Sequence, residues 1–275
     1  MIEDVSFMLE GDRKIGVLLI HGLTGTPNEM RIIAKGLNKA GFTVYAMQLA
    51  GHCGTEADLC QTTWQDWYQS VEAAAERLNQ EVDHFFVAGL SMGAVLSLKL
   101  AEMRPDLVKG VMAYATTFRY DGWSLPFYAK HLFFLLTWFK KLGICQDKAF
   151  FEEPPYGLKD EKIRKVVSDS MLGGDAASAG LASNPYPALA EMQWLARDVR
   201  KNLAKVTAPC LIMHSSNDDI ANINTNARVI EKNVSGPTVF IPLDDSYHLI
   251  TIDRERKVVI EHSVDFVERV VQGEL

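Results

Sequence analysis

Three residue types, far apart in this 275-residue chain, carry the chemistry that can be read from it: a serine between glycines, an aspartate pair and a histidine. The serine is Ser91 of Gly89-Leu90-Ser91-Met92-Gly93. A serine hydroxyl is a weak nucleophile and needs a base, which in turn needs an orienting acid. His248 suits the base, since it follows the last apolar strand pattern and the loop Leu243-Asp244-Asp245-Ser246-Tyr247 and precedes the final helical stretch. The other histidines fit less well. His21 and His214 end strands, His52 lies in an early loop, and His84 precedes the run into Ser91. His131 falls in the middle of the chain, and His262 sits on an amphipathic helix. The acid is expected on the loop after the preceding strand, where Ser216-Asn217-Asp218-Asp219 stands. Asp218 is the first choice and Asp219 its rival; whichever is not the acid reads as a cap for a helix starting near Asn222. Charge on an attacked carbonyl oxygen needs two donors. The Met92 N–H, at a helix N-terminus, is one, and the Leu23 N–H of His21-Gly22-Leu23 is the candidate for the other.

These residues need elements to hold them. Phe85-Phe86-Val87-Ala88 reads as a strand into Ser91, and Ala94 to Met103 as a helix stopped by Arg104-Pro105. Glycines two before and two after the serine leave room for a strained turn between the two elements. Ile15–Ile20, Phe42–Met47 and Leu107–Ala115 are further apolar runs alternating with helical patterns at about 28–39 and 63–79. Near-continuous apolar strands separated by helices predict a mostly parallel sheet covered on both faces. The rhythm breaks at Thr116-Thr117-Phe118, and no strand is evident before Pro187. Pro126–Leu142 is expected as a helix, and 173–180 as a flexible stretch of small residues. After that a helix at about 188–203, a strand at 209–214, a helix at about 224–231, a strand at 238–242 and a helix at about 254–271 restore the pattern. The expectation is an α/β core of residues 1–117 and 188–275, with 118–187 inserted over the C-terminal edge of the sheet, where such folds bind ligands.

Composition narrows the field. Hydrophobic content of 48% and charged content of 23% are those of an ordinary globular chain. A net charge of −7 without a basic block argues against a nucleic-acid partner. The four cysteines have no zinc or redox spacing and read as reduced thiols. The acidic N-terminus is unlike a signal peptide, and no apolar run approaches the ~18 residues of a membrane span. A soluble cytoplasmic protein without metal or organic cofactor is expected; its oligomeric state is not legible.

Four motifs in order make a wider resemblance: Leu19-Ile20-His21-Gly22-Leu23-Thr24-Gly25, Gly89-Leu90-Ser91-Met92-Gly93, His214-Ser215-Ser216-Asn217-Asp218 and Ser246-Tyr247-His248-Leu249-Ile250. Over about 5–117 and 188–272 the chain resembles the α/β-hydrolase superfamily of serine hydrolases, within it the bacterial carboxylesterases and monoacylglycerol lipases. The resemblance implies the order nucleophile, acid, histidine, met by Ser91, Asp218 and His248. It favours Asp218 over Asp219, because Asp218 stands where the family's H-G-x-x-D has its aspartate. Ser215 replaces that motif's glycine, and Tyr247 departs from the family's frequent S-G-H. Leu49-Ala50-Gly51-His52-Cys53-Gly54 resembles the family's R-G-H-G loop, implying a structural His52.

The resemblance also implies that 118–187 is a cap shaping the acyl or alcohol pocket. Phe127, Phe133, Phe134, Leu135, Leu136, Trp138 and Phe139, flanked by Lys130, Lys140 and Lys141, then have three possible uses. They form the cap's own core, line an apolar substrate tunnel, or meet a lipid surface transiently. The expected activity is hydrolysis of small-molecule carboxylic esters with a hydrophobic part. A thioesterase or acyltransferase with the same triad is the first alternative, and a ligand-sensing protein on a hydrolase scaffold is the second.

Overall fold

The apolar runs assemble into one seven-stranded sheet, and their alternation divides its side chains between two helical layers. The computed structural model describes residues 2–151, 153–172 and 180–275. The strands are β1 (Phe7–Leu9), β2 (Ile15–Ile20), β3 (Thr43–Met47), β4 (His84–Leu90), β5 (Val108–Tyr114), β8 (Cys210–Ser215) and β9 (Thr238–Leu243). Their spatial order is β1-β3-β2-β4-β5-β8-β9. Only β1 runs antiparallel to its neighbour. Every residue of β2 is buried, as a strand covered on both faces requires. Leu18, Val87, Val111 and Ile212 point to one core, shared with the helices Trp64–Asn79, Met92–Met103 and Tyr186–Asn202. Val17, Leu19, Phe86 and Met213 point to the other, against Arg31–Lys39 and Arg256–Val271. Helix Trp64–Asn79 starts on a capping box in which Thr63 and Asp66 satisfy each other's backbone N–H groups.

Segment 118–187 departs from expectation in two ways. It contains strand: β6 (Ala149–Phe151) pairs antiparallel with β7 (Ser183–Pro185), Phe150 facing Asn184. Ser183-Asn184-Pro185 lacks any β-branched alternation, so this pairing comes from tertiary contact and has no local signal. The expected single helix 126–142 is two, Phe127–Leu132 and Leu135–Leu142, the second closed by Gly143 at φ 68°. Of the stretch expected to be flexible, 173–179 lie outside the described residues. Helix boundaries also shift. The helix expected from 224 begins at Ala227, behind a turn in which Asn226 Nδ2 donates to the Asn222 carbonyl at 2.9 Å.

The segment closes over the C-terminal ends of the parallel strands. Leu181 N–H bonds the Thr24 carbonyl after β2 (3.0 Å), Gly157 N–H bonds Asp219 after β8 (3.0 Å), and Gly157 O accepts from Leu249 after β9 (2.8 Å). Lys140 pairs with the buried Glu191 at 2.6 Å on helix Tyr186–Asn202.

Candidate active site

Ser91 occupies the turn between β4 and helix Met92–Met103 at φ 57°, ψ −112°. This is a conformation an L-residue holds only when its surroundings fix it. Its N–H is bonded to Tyr114 O at 2.9 Å, which ties the turn to β5. The flanking glycines are needed for close approach: a Cβ at Gly89 would collide with the Gly93 backbone, and one at Gly93 with the Ile20 carbonyl. The Ser91 side chain lines a cavity yet is largely covered, and its Oγ donates to Thr117 Oγ1 at 3.0 Å. Thr117 Oγ1 in turn donates to Ala115 O at 3.1 Å. Thr117 was not among the sequence candidates, although the break in pattern at Thr116-Thr117 marked the place.

The expected acid and base meet. His248 Nδ1 lies 2.8 Å from Asp218 Oδ2, and both side chains are buried. A second imidazole reaches the same oxygen. His214 Nε2 is 3.1 Å from Asp218 Oδ2 and 2.8 Å from the Ala221 carbonyl, so this nitrogen carries the proton. Asp218 Oδ1 accepts from the Ile220 and Ala221 amides at 2.9 and 2.7 Å. Burial by itself pushes this carboxyl up. The positive character of His248, then the hydrogen bonds from His214 and His248, outweigh it and hold Asp218 below the ordinary carboxylate range. His214 was read as the end of a strand and the start of the H-G-x-x-D-like motif, with no contact to Asp218 assigned; its place four residues before Asp218 was the available signal.

Asp219 does not cap the following helix, as the sequence reading had it. Asp218 is the residue that fills that turn. Asp219 Oδ2 accepts from Gly157 N–H at 3.0 Å and Oδ1 from His248 N–H at 3.2 Å. Burial, then the charge of Asp218, push its carboxyl up to about 6.

Met92 follows Ser91 directly, and Leu23 lines the same cavity as the serine. Met92 is the first residue of its helix, so its N–H has no intrahelical acceptor. The preceding loop is braced from below. Glu29 Oε2 accepts from Gly22 N–H at 3.1 Å, and buried His21 spans Gly22 O (2.8 Å) and Leu49 N–H (3.2 Å). Because His21 Nε2 must accept from Leu49, Nδ1 carries the proton. Desolvation, then the neighbouring His52, lower His21 to about 3, so it stays neutral. His52 packs edge-on against His21 and Trp67 and is held at about 4, mainly by burial.

Ser91, His248 and Leu23 line one cavity of about 380 Å³. Tyr120, Phe133, Phe150, Leu181, Leu189 and Ile252 make much of its wall, with Glu29, Asn184 and Glu153 as polar members. Phe133 stacks on Tyr120 at 5.1 Å. Of the other apolar residues expected in this region, Phe127, Phe134 and Trp138 are exposed, while Leu136 is buried in the core.

The model of a family described as serine aminopeptidase, S33, matches residues 11–255. The chain belongs to this family. It is 30% identical to the thermostable monoacylglycerol lipase of Bacillus sp. (strain H-257) over 92% of this chain and 90% of that one. It is 26% identical to a carboxylesterase of Bacillus subtilis (strain 168), covering 96% of each. A solved structure from LipS and LipT, two metagenome-derived lipolytic enzymes, superposes with a TM-score of 0.79 at 26% identity, covering 96% of this chain and 97% of that one. The fold is that of the α/β-hydrolases, and the chain is a hydrolase of the esterase and lipase kind.

Proposed function

We propose that this ester hydrolase cleaves small carboxylic esters with an apolar acyl or alcohol part, using Ser91, His248 and Asp218. The observation that carries the proposal is a strained serine lining an apolar-walled cavity with a histidine whose far nitrogen is 2.8 Å from a buried carboxylate. Ser91 Oγ bonds to the ester carbon while His248 Nε2 takes its proton, and the carbonyl electron pair moves onto oxygen. The N–H groups of Leu23 and Met92 stabilise that oxygen; one such donor is typically worth about 3–4 kcal/mol in the transition state. The imidazolium then protonates the departing alkoxy oxygen as its bond to carbon breaks. Water repeats the sequence on the acyl-enzyme, giving the acid and restoring Ser91. Asp218 keeps the proton of His248 on Nδ1, leaving Nε2 as the base. No step needs a metal or organic cofactor.

In this reading 118–187 is a cap over a core of 1–117 and 188–275, and Phe133, Phe150, Leu181 and Leu189 favour a hydrophobic substrate chain. Exposed Phe127, Phe134 and Trp138, with Lys141 on the same helix as Trp138, suit transient contact with a lipid surface. The test is turnover of p-nitrophenyl esters from two to twelve carbons by wild type and Ser91→Ala. Loss of turnover in the variant and a rate that depends on chain length are expected. A flat length profile would remove the apolar-substrate reading. Turnover of coenzyme A thioesters but of no oxygen ester would move the assignment to a thioesterase.

A further inference from the structure

Two carboxylates that the proposed reaction leaves unused are fully buried, Asp219 and Asp253. Their oxygens are filled by backbone N–H groups from two separate segments. Asp219 takes His248 N–H at 3.2 Å and Gly157 N–H at 3.0 Å. Asp253 takes Tyr247 N–H at 2.8 Å, Lys159 N–H at 2.9 Å and Asp160 N–H at 2.9 Å. A direct bond, Leu249 N–H to Gly157 O at 2.8 Å, completes the set. Three consecutive amides of the histidine loop, 247 to 249, are therefore tied to 157–160, two through a carboxylate and one directly. Gly157 also lines the cavity, and a Cβ on it would stand 3.1 Å from His248 Cβ.

A buried carboxylate is costly unless its oxygens are hydrogen-bonded. Here neither segment can withdraw without leaving Asp219 and Asp253 short of donors. We propose that Asp219 and Asp253 are positioning residues that fasten the 157–160 wall of the cap to the histidine loop, so that His248 keeps its place only while this side of the cap is docked. The proposal rests on His248 being the base. It implies that any opening of the cap swings about this edge, which stays closed. The charged or titratable side chains facing Asp219 are Asp218 and His248; from the cap it meets the Gly157 N–H.

The test compares full-length wild type, Asp219→Asn and Asp253→Asn, each normalised by titrating Ser91 with a fluorophosphonate. An asparagine offers one acceptor oxygen where Asp219 needs two, so one of its two amides loses its partner. In Asp219→Asn, hydrogen exchange in peptides spanning 155–161 and 246–250 should quicken together, with the rest of the chain unchanged. The kcat per titrated site should fall roughly ten- to a hundredfold, the scale of a misplaced catalytic group. The acid limb of kcat/KM should move to lower pH, because a negative charge that favours protonated His248 is gone. Asp253→Asn should quicken the same two peptides through Tyr247, Lys159 and Asp160, and decides the matter if Asp219→Asn does not fold. Quickening of only one of the two peptides in these variants, or an unchanged kcat and acid limb, overturns the proposal. His248→Ala separates the two readings: turnover surviving it refutes the assigned base, whereas the paired exchange judges the fastening independently.

Discussion

Asp218 accepts from two imidazoles and two amides, and this crowding explains how a fully buried carboxyl stays ionised. If it orients His248, Asp218→Asn keeps the shape but lets the imidazole adopt the wrong tautomer. A loss in kcat on the order of 10⁴-fold is expected in single-turnover assays; a loss below tenfold would move the role elsewhere. The adjacent aspartates illustrate what sequence can settle. Spacing left Asp218 and Asp219 as rivals, and family resemblance favoured the first. The distinction lies in direction: Asp218 Oδ2 faces a ring nitrogen, while both oxygens of Asp219 face amides, one of them that of Gly157, remote in sequence. No local rule encodes that.

At the scale of elements, the serine turn depends on β2, β4 and the helix after Ser91 lying unusually close. Gly93→Ala would drive a methyl group into the Ile20 carbonyl, on backbone that cannot yield cheaply. A stability loss of about 1–3 kcal/mol or more is expected from urea unfolding, with turnover falling further than stability accounts for. The loops at His21 and His52 carry a pH dependence of definite sign. Held at about 3 and about 4, these imidazoles remain neutral in the folded chain, whereas the unfolded chain protonates them near 6.5. The unfolded state therefore binds more protons below about pH 6.5, and the contribution to stability, complete above that value, is lost as the pH falls toward 4. Each imidazole contributes a slope of up to about 1.4 kcal/mol per pH unit. Asp219 opposes this: raised to about 6, it binds a proton first in the folded state, and its contribution to stability grows as pH falls from 6 to 4. Urea unfolding at pH 7, 6 and 5 should show a shallower slope in His52→Phe than in wild type; equal slopes would contradict the assignment.

For the whole molecule, the question is how segment 118–187, made of short elements, shares a cavity with the loops at the strand ends. Tyr120 and Phe133 come from the first part of that segment, Phe150 and Leu181 from β6 and beyond, and Leu249 and Ile252 from the stretch after β9. Phe133→Ala removes the ring stacked on Tyr120 and lengthens the cavity there. The ester preference should shift toward longer acyl chains, read as the ratio of kcat/KM for dodecanoyl and butanoyl esters. An unchanged ratio would mean that the acyl chain runs elsewhere. Among the described residues no helix is long and apolar enough to cross a membrane. Sedimentation with anionic liposomes should lose the bound fraction in a Phe127→Ser, Trp138→Ser variant.

What the sequence determined by itself was whatever rests on short-range pattern. Continuous apolar runs such as Ile15–Ile20 required a sheet buried on both faces, and Gly89 and Gly93 around Ser91 required a tight strand-to-helix turn. Loop position then put His248 forward among seven histidines as the proposed base. These signals are local because backbone geometry and burial act on neighbouring residues. Only the tertiary structure decided the rest. Ser183-Asn184-Pro185 became a strand because β6 lies beside it, His214 came within reach of Asp218 because the chain turns back after β8, and Asp219 turned toward segment 118–187 because Gly157 is there. Each of these depends on groups brought together from distant or folded-back chain, where side-chain direction, which spacing does not encode, sets the contact.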